Sequence, residues 1–272
     1  MKVVYFVGAF ILLGIILSFY YKKIAAKYAA SIDKEIDSKN SEKLMEIFNE
    51  IVQKYKSNDL VKIAFENTYY HFLNQAFFSD FPNKKELLLF YEKNMKGATL
   101  ASHKKNFIDR VLDTLSDIEH PTEDDFNYFN EILLDLKVDA DTQNDANKRL
   151  SIIKKIADLR KNGLQPLEIH NPITAKKDCF YYGNIDILKN RQKNGQKFFE
   201  YDKTGEIYIL NDEIDIVVDG GHKKIKLSNI ISLDFEDEIL QLTILNRSTP
   251  LGLSSKEPEY VLEILNMVRK LS

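Results

Sequence analysis

Seven cations pose the chemical question in this chain. Lys189, Arg191, Lys193 and Lys197 flank an Asn194-Gly195 turn signal, and Lys223, Lys224 and Lys226 follow a second one at Asp219-Gly220-Gly221. Cations of this kind around a hairpin would contact an anionic surface or a phosphate-bearing headgroup, and the same pattern also suits an ordinary solvated turn.

Other chemistries assemble less well. Ser31-Ile-Asp-Lys34, Ser38-Lys-Asn40 and Lys203-Thr-Gly205 spell the S-x-x-K, S-x-N and K-T-G set of serine acyl transfer. S-x-x-K recurs at Ser102 and Ser151, however, and the first two motifs fall close together on what should be one helix, so acyl transfer is set aside. Residues 139–145 have the acids of a calcium loop, but Asn144 and Leu150 stand where an EF-hand needs its glycine and its bidentate glutamate. That run reads instead as helix starts, where acids complement the helix dipole. The histidines, at 71, 103, 120, 170 and 222, have no helical spacing to one another and no cysteine nearby, so no metal is expected. No glycine-rich phosphate loop or G-x-S-x-G appears, and no cofactor is expected.

The elements that position these residues begin with an uncharged run at 3–20. As a helix it would be about 27 Å long, close to the roughly 30 Å of bilayer hydrocarbon. Tyr20, Tyr21, Lys22, Lys23 and Lys27 follow it in the order of an aromatic belt and a cationic flank. The reading is an uncleaved single-pass transmembrane helix rather than a signal peptide, whose apolar core would be shorter and would end at a small-residue cleavage site. The lysines on its C-terminal side place the C-terminal bulk in the cytoplasm, at the cell membrane. Cys179 is the chain's sole cysteine, so no intrachain disulfide forms and nothing points to an oxidising compartment.

Three regions follow: an anchor at 1–30, an α-helical domain at 31–165 and a β domain at 166–272. Their formal charges are +4, −4 and −3, too little positive charge for general nucleic-acid binding. In the helical region Leu44, Ile47, Phe48, Ile51 and Tyr55 form one stripe behind an N-cap at Ser41, and further helices are expected at about 59–76, after Pro82, and at 100–115, 122–136 and 145–161. The aromatics Phe65, Tyr69, Tyr70, Phe72, Phe77, Phe78 and Phe81 read as core.

Past Pro166 the hydrophobic period changes to two. Strands are expected at 179–189, 197–203, 206–210, 213–219, 223–227, 231–235, 239–245 and 251–254, with turns at Asn194-Gly195 and Asp219-Gly220-Gly221 and a closing helix carrying Val261, Ile264, Leu265 and Val268 on one face. The motifs Gly205-Glu-Ile207-Tyr208-Ile209, Lys226-Leu227-Ser228-Asn229-Ile230-Ile231-Ser232-Leu233 and Asn246-Arg-Ser-Thr-Pro250 resemble the GRAM and bacterial PH-like pattern over about 175–272. That resemblance implies a seven-stranded antiparallel barrel plugged by a C-terminal helix, and basic residues around the first hairpin where such domains bind anionic headgroups.

The sequence thus leads to an α+β chain: a transmembrane helix, an all-α domain and a PH-like barrel. It would act without catalysis as a membrane-anchored binding or scaffolding protein, its partner an unidentified protein or anionic lipid headgroups. A membrane-anchored hydrolase without a recognisable motif is the alternative from another class.

Overall fold

The computed structural model describes residues 2–55, 59–169, 171–174, 177–193 and 196–271; the side chains of 2–16, 59–62, 193 and 197 lie outside the description. The chain divides into two compact units, residues 1–117 with 122–147, and residues 118–121 with 148–272.

The first unit is helical: α1 (Lys2–Asp37), α2 (Ser41–Tyr55), α3 (Asp59–Phe78), α4 (Lys84–Asn94), α5 (Gly97–Asp117), α6 (Glu123–Leu136) and the first turns of α7 (Ala140–Asn162). The expected transmembrane helix is corrected here. Residues 3–20 do not make a separate span. They begin a 36-residue helix whose later turns carry Ala25, Ile32 and Ile36 into the core, and among the described residues no helix is long and apolar enough to cross a membrane. Hydropathy in a short window cannot see that the helix continues through charged turns into a packed unit. The expected integral, single-span membrane association falls with it. The side chains of 3–16 lie outside the described residues.

Helix boundaries follow local chemistry. Asn40, not Ser41, caps α2, its Oδ1 accepting from the Lys43 N–H at 3.1 Å. Thr122 and Asp125 form a reciprocal capping box at α6, and Asp139 accepts from the Thr142 N–H at 2.9 Å to start α7. These bonds hold both carboxyls below the usual carboxylate range. The acids that resemble a calcium loop therefore begin a helix. Gly97 opens α5.

The core is aromatic. Phe48 packs edge-on against Phe65 and Tyr91 at 5.2 and 5.0 Å, and Tyr91 stacks with Phe72 at 5.1 Å. Phe65, Tyr69, Phe72, Phe77 and Phe81 are buried as expected, while Phe78 is exposed. Lys104 is buried in α5 and ties three helices: its ammonium meets Glu92 of α4 at 2.6 Å and the Leu136 carbonyl at the end of α6 at 2.5 Å.

The second unit is a seven-stranded antiparallel sheet with a C-terminal helix. Its strands are β1 (Cys179–Lys193), β2 (Gln196–Leu210), β3 (Glu213–Val218), β4 (Gly221–Lys226), β5 (Ile230–Glu236), β6 (Ile239–Ile244) and β7 (Leu251–Ser254), in the order β4-β3-β2-β1-β7-β6-β5. Helix α8 (Pro258–Leu271) buries Val261, Ile264, Leu265 and Val268 against Ile185, Ile207, Ile209, Ile214 and Ile216 of the inner sheet face. The seven antiparallel strands and the closing helix that the resemblance implied are present, joined as one sheet with β4 and β5 at its edges rather than paired into a closed barrel among the described residues. The end of α7 belongs to this unit, with Leu159 and Leu164 against the core, Arg160 bidentate to Glu263 at 2.9 and 3.3 Å, and Lys155 paired with Glu257.

Two expected strands are one. Residues 197–203 and 206–210 join in β2, which pairs with β1 along its length with two irregularities, at Phe180 of β1 and at Asp202 of β2. Gly205 is therefore an interior strand residue, and a Cβ there would lie 2.4 Å from the Val217 carbonyl oxygen. The Asp219-Gly220 turn forms as expected, with Gly220 at φ 73°. Residues 194–195 lie outside the description, between the paired Lys193 and Gln196.

Two stability tests follow. Gly205→Ala should lower the urea midpoint by the equivalent of about 3 kcal/mol, because backbone rather than a flexible side chain must move. Lys104→Met should have a loss of about 3 kcal/mol, since it strands the Glu92 carboxylate; adding Glu92→Met should restore much of it. Equal losses in the single and double variants would show that the ion pair is not what Lys104 supplies.

Candidate functional site

Strand parity sorts the polar residues of the second unit onto two faces. On the inner face the register sets Lys203 of β2 opposite Ile187 and Lys223 of β4 opposite Ile216, so both cations share the face of the buried isoleucines but stand at its rim. Arg247 joins them from the β6–β7 connection, a tight turn with Asn246 at φ 61° and the Arg247 N–H bonded to the Ile244 carbonyl at 3.1 Å. Lys223 is exposed as a residue, yet its ammonium is held below the ordinary lysine value, first by burial and then by repulsion from Arg247 and Lys203. Like charges from three elements thus converge at one end of the sheet.

The seven cations singled out from sequence do not form one patch. Lys189 pairs with Asp202 at 2.6 Å, which holds that carboxyl low, and Arg191 pairs with Glu200 at 3.0 Å. The side chains of Lys193 and Lys197 lie outside the described residues. Lys224 points to the outer face, 3.4 Å from Glu213 and 3.6 Å from Asp215. Lys226, at the far end of β4, lines a cleft with Ser228 and Arg269. Among those whose side chains are described, only Lys223 joins the convergent group; its neighbours Lys203 and Arg247 were not among the seven. Lys203 was absorbed by the K-T-G motif and Arg247 by a turn. The alternation that makes 203, 205, 207 and 209 one face was the signal that could have found the first.

The outer face has a different character. Asp215 is fully buried on β3, with His222 Nδ1 3.2 Å from Oδ1, but neither carboxyl oxygen accepts a hydrogen bond among the described residues. Next to it, Tyr182 and Tyr208 donate to the two oxygens of Glu206 at 2.8 and 3.0 Å, and burial, led in Tyr182 by the Glu206 bond, pushes both phenols up. The segment before β1 covers this face: Ile169 and Ile173 pack on Cys179, Tyr208 and Leu210, and Lys177 bridges Asp212 and Glu213 at 2.7 and 3.1 Å. Among the described residues no three histidine, cysteine or acidic side chains are placed to share a metal ion. Of the acyl-transfer set, Ser31 lies on α1 and Ser38 in the turn just after it, both in the first unit with hydroxyls bonded to the Lys27 and Glu35 carbonyls, and Lys203-Thr-Gly205 lies in the second.

No family model matches the sequence, and no curated protein does. Among solved structures the chain is similar to Vav1 inhibited by an allosteric inhibitor, at 10% identity and a TM-score of 0.26 over 92% of this chain and 78% of that one. It is similar also to an activated truncation of Vav1, at 12% identity and a TM-score of 0.27 over 90% and 77%. At TM-scores this low the overlap constrains neither fold nor function. The second unit is therefore described by its own strand order and closing helix.

The buried carboxylate of Asp215 yields a test. Its partners His222 and Lys224 are exposed and would stay hydrated without it. Asp215→Val should leave stability unchanged or raise it by about 1–3 kcal/mol in urea unfolding. A loss of that size would mean that the carboxylate holds the sheet together.

Proposed function

We propose that the second unit is a non-catalytic binding module that takes a phosphate-bearing anionic ligand, a lipid headgroup or a free phosphate compound, at the rim where Lys203, Lys223 and Arg247 meet. The observation that carries this reading is the placement of Lys203 and Lys223 at the end of the inner sheet face, within electrostatic reach of Arg247 in the β6–β7 connection. Three cations from β2, β4 and the β6–β7 connection crowd together where no ion pair to Lys223 or Arg247 is made among the described residues. An anion there would relieve the repulsion, restore the basicity of Lys223 and accept charge-assisted hydrogen bonds from three directions. The hairpin cations Lys189 and Arg191 play a lesser part, since each already faces an acid. Kinship with GRAM and bacterial PH-like domains, a scaffolding role and a cytoplasmic setting, in which the buried thiol of Cys179 stays reduced, belong to the same proposal.

Full-length protein and its Lys203→Ala/Lys223→Ala/Arg247→Ala variant should be compared for co-sedimentation with phosphatidylserine and with phosphatidylcholine vesicles, and for binding of inositol hexakisphosphate by calorimetry. At about 1 kcal/mol per cation near an anionic surface, the triple variant should bind anionic vesicles roughly a hundredfold more weakly, and added salt should weaken the wild type. Lys189→Ala/Arg191→Ala should change little. Binding of the soluble phosphate without the vesicles would assign the rim to a free ligand. A triple variant indistinguishable from wild type on both probes would remove the rim as the site.

A further inference from the structure

The first unit has a groove of its own where α4 meets the end of α6. It has a volume of about 250 Å³, and its apolar lining is Leu88 and Leu89 of α4 with Leu134 of α6. Leu88 is buried beneath it, while Leu89 and Leu134, 56% and 72% exposed, stand open on either side. Two leucines this open are apolar area that a packed neighbour would remove from water.

The charges around these leucines have one effective sign. Two acids line the groove, and each is already matched from within the unit: Lys104 meets Glu92 at 2.6 Å, and Lys84 meets Asp135 at 3.0 Å. The negative end of the α6 dipole is matched as well, since Lys104 also donates to the Leu136 carbonyl. The two cations of the lining are different. Lys85 and Lys137 are exposed, and the side chain of neither makes a hydrogen bond or ion pair among the described residues. The helical region at 31–165 has a formal charge of −4, so a groove whose unmatched charges are both positive runs against the sign of its surroundings.

We infer that this groove docks an acidic amphipathic helix of a partner protein, its apolar residues seated on Leu88, Leu89 and Leu134 and its carboxylates facing Lys85 and Lys137. The volume lies below the roughly 300–1,000 Å³ of small-molecule sites, which suits one or two inserted side chains rather than a whole ligand. Helical backbone is the form that fits. α4 and α6 bond their own amides internally, so an extended segment would find no backbone partners there, whereas a helix brings its bonds already made. Apolar contact then supplies affinity, and the opposite charges supply orientation and partner choice. The surface belongs to the first unit and is independent of the rim proposed above.

The test measures binding of the full-length chain to a fluorescently labelled, hydrocarbon-stapled helix of Glu-Glu-Leu-Leu repeats by anisotropy. One control helix has lysine for every glutamate, and another has serine for every leucine. The acidic helix should bind with a micromolar Kd that weakens as salt is added, and both controls should bind at least about tenfold more weakly. Leu134→Ser, on an exposed side chain, should weaken the acidic helix about tenfold with unchanged melting temperature. Lys85→Glu/Lys137→Glu should exchange the preference, losing the acidic helix and gaining the lysine one by about tenfold each. The inference is overturned if the acidic helix does not bind, if the serine control binds equally well, or if Leu134→Ser or the charge-reversed variant behaves as wild type does. It is overturned also by dimers of the free chain that Leu134→Ser disperses in sedimentation, which would give the groove to a second copy. Decanoate displacing the label at lower concentration than unlabelled acidic helix would give it to a small amphiphile instead, with the same consequence.

Discussion

The second unit depends on one long ladder. β1 and β2, fifteen residues each, pair along their length apart from Phe180 and Asp202, and every other strand is attached to that ribbon: β3 and then β4 along one edge, β7 and then β6 and β5 along the other. Because side chains alternate across a strand, this single register decides which residues become core and which become charged surface. A slip by one residue would send Ile207 and Ile209 outward and Glu206 and Tyr208 inward. The isoleucine-rich inner face, closed by α8, excludes that slip, and the close approach of Gly205 to the Val217 carbonyl pins β3 to the same register. The rim cations are a by-product of this constraint: Lys203 and Lys223 continue two inward-facing series past the point where the core ends.

Much of the architecture was legible because it is written in local periodicity. Stripes such as Leu44, Phe48 and Ile51 and alternation such as Ile214, Ile216 and Val218 each imply one kind of element, whatever lies elsewhere. What was not legible depended on distant partners. The Lys203-Thr-Gly205 stretch has the composition of a turn, and pairing with Ile187, Asp186 and Ile185 on β1, and of Gly205 with Val218 on β3, keeps it extended. Residues 3–20 have the hydropathy of a span, but the helix they begin runs on to Asp37 and packs by Ile32 and Ile36. The rim joins side chains from β2, β4 and the β6–β7 connection, a meeting set by strand order and not by spacing.

In the first unit, long-range polar contacts supply what an aromatic core alone leaves open. Flat rings pack in more than one arrangement with similar energy, so a core of Phe48, Phe65, Phe72 and Tyr91 does not by itself fix how the helices meet. Directional contacts do. His71 of α3 sets its two ring nitrogens against Asp33 and Asp37, one turn apart on α1, at 2.9 and 3.0 Å. Lys104 does the same for α4, α5 and α6 from inside the bundle. Both are bonds between helices rather than within them, so they select one arrangement among those that the core would accept.

The two faces of the β-sheet illustrate opposite uses of charge. On the outer face Asp215 is shut away beside His222 and Lys224, and its neighbours Glu206 and Glu213 are each engaged by phenols or ammonium groups. There the charges are largely paired off, so an incoming ion has little to gain and a covering segment can lie over them. On the inner rim the charges repel one another, and that repulsion is free energy a ligand of the opposite sign can recover on binding. An anion drawn to this unit is therefore expected to favour the rim over Lys189 and Arg191 of the hairpin, each of which already faces an acid.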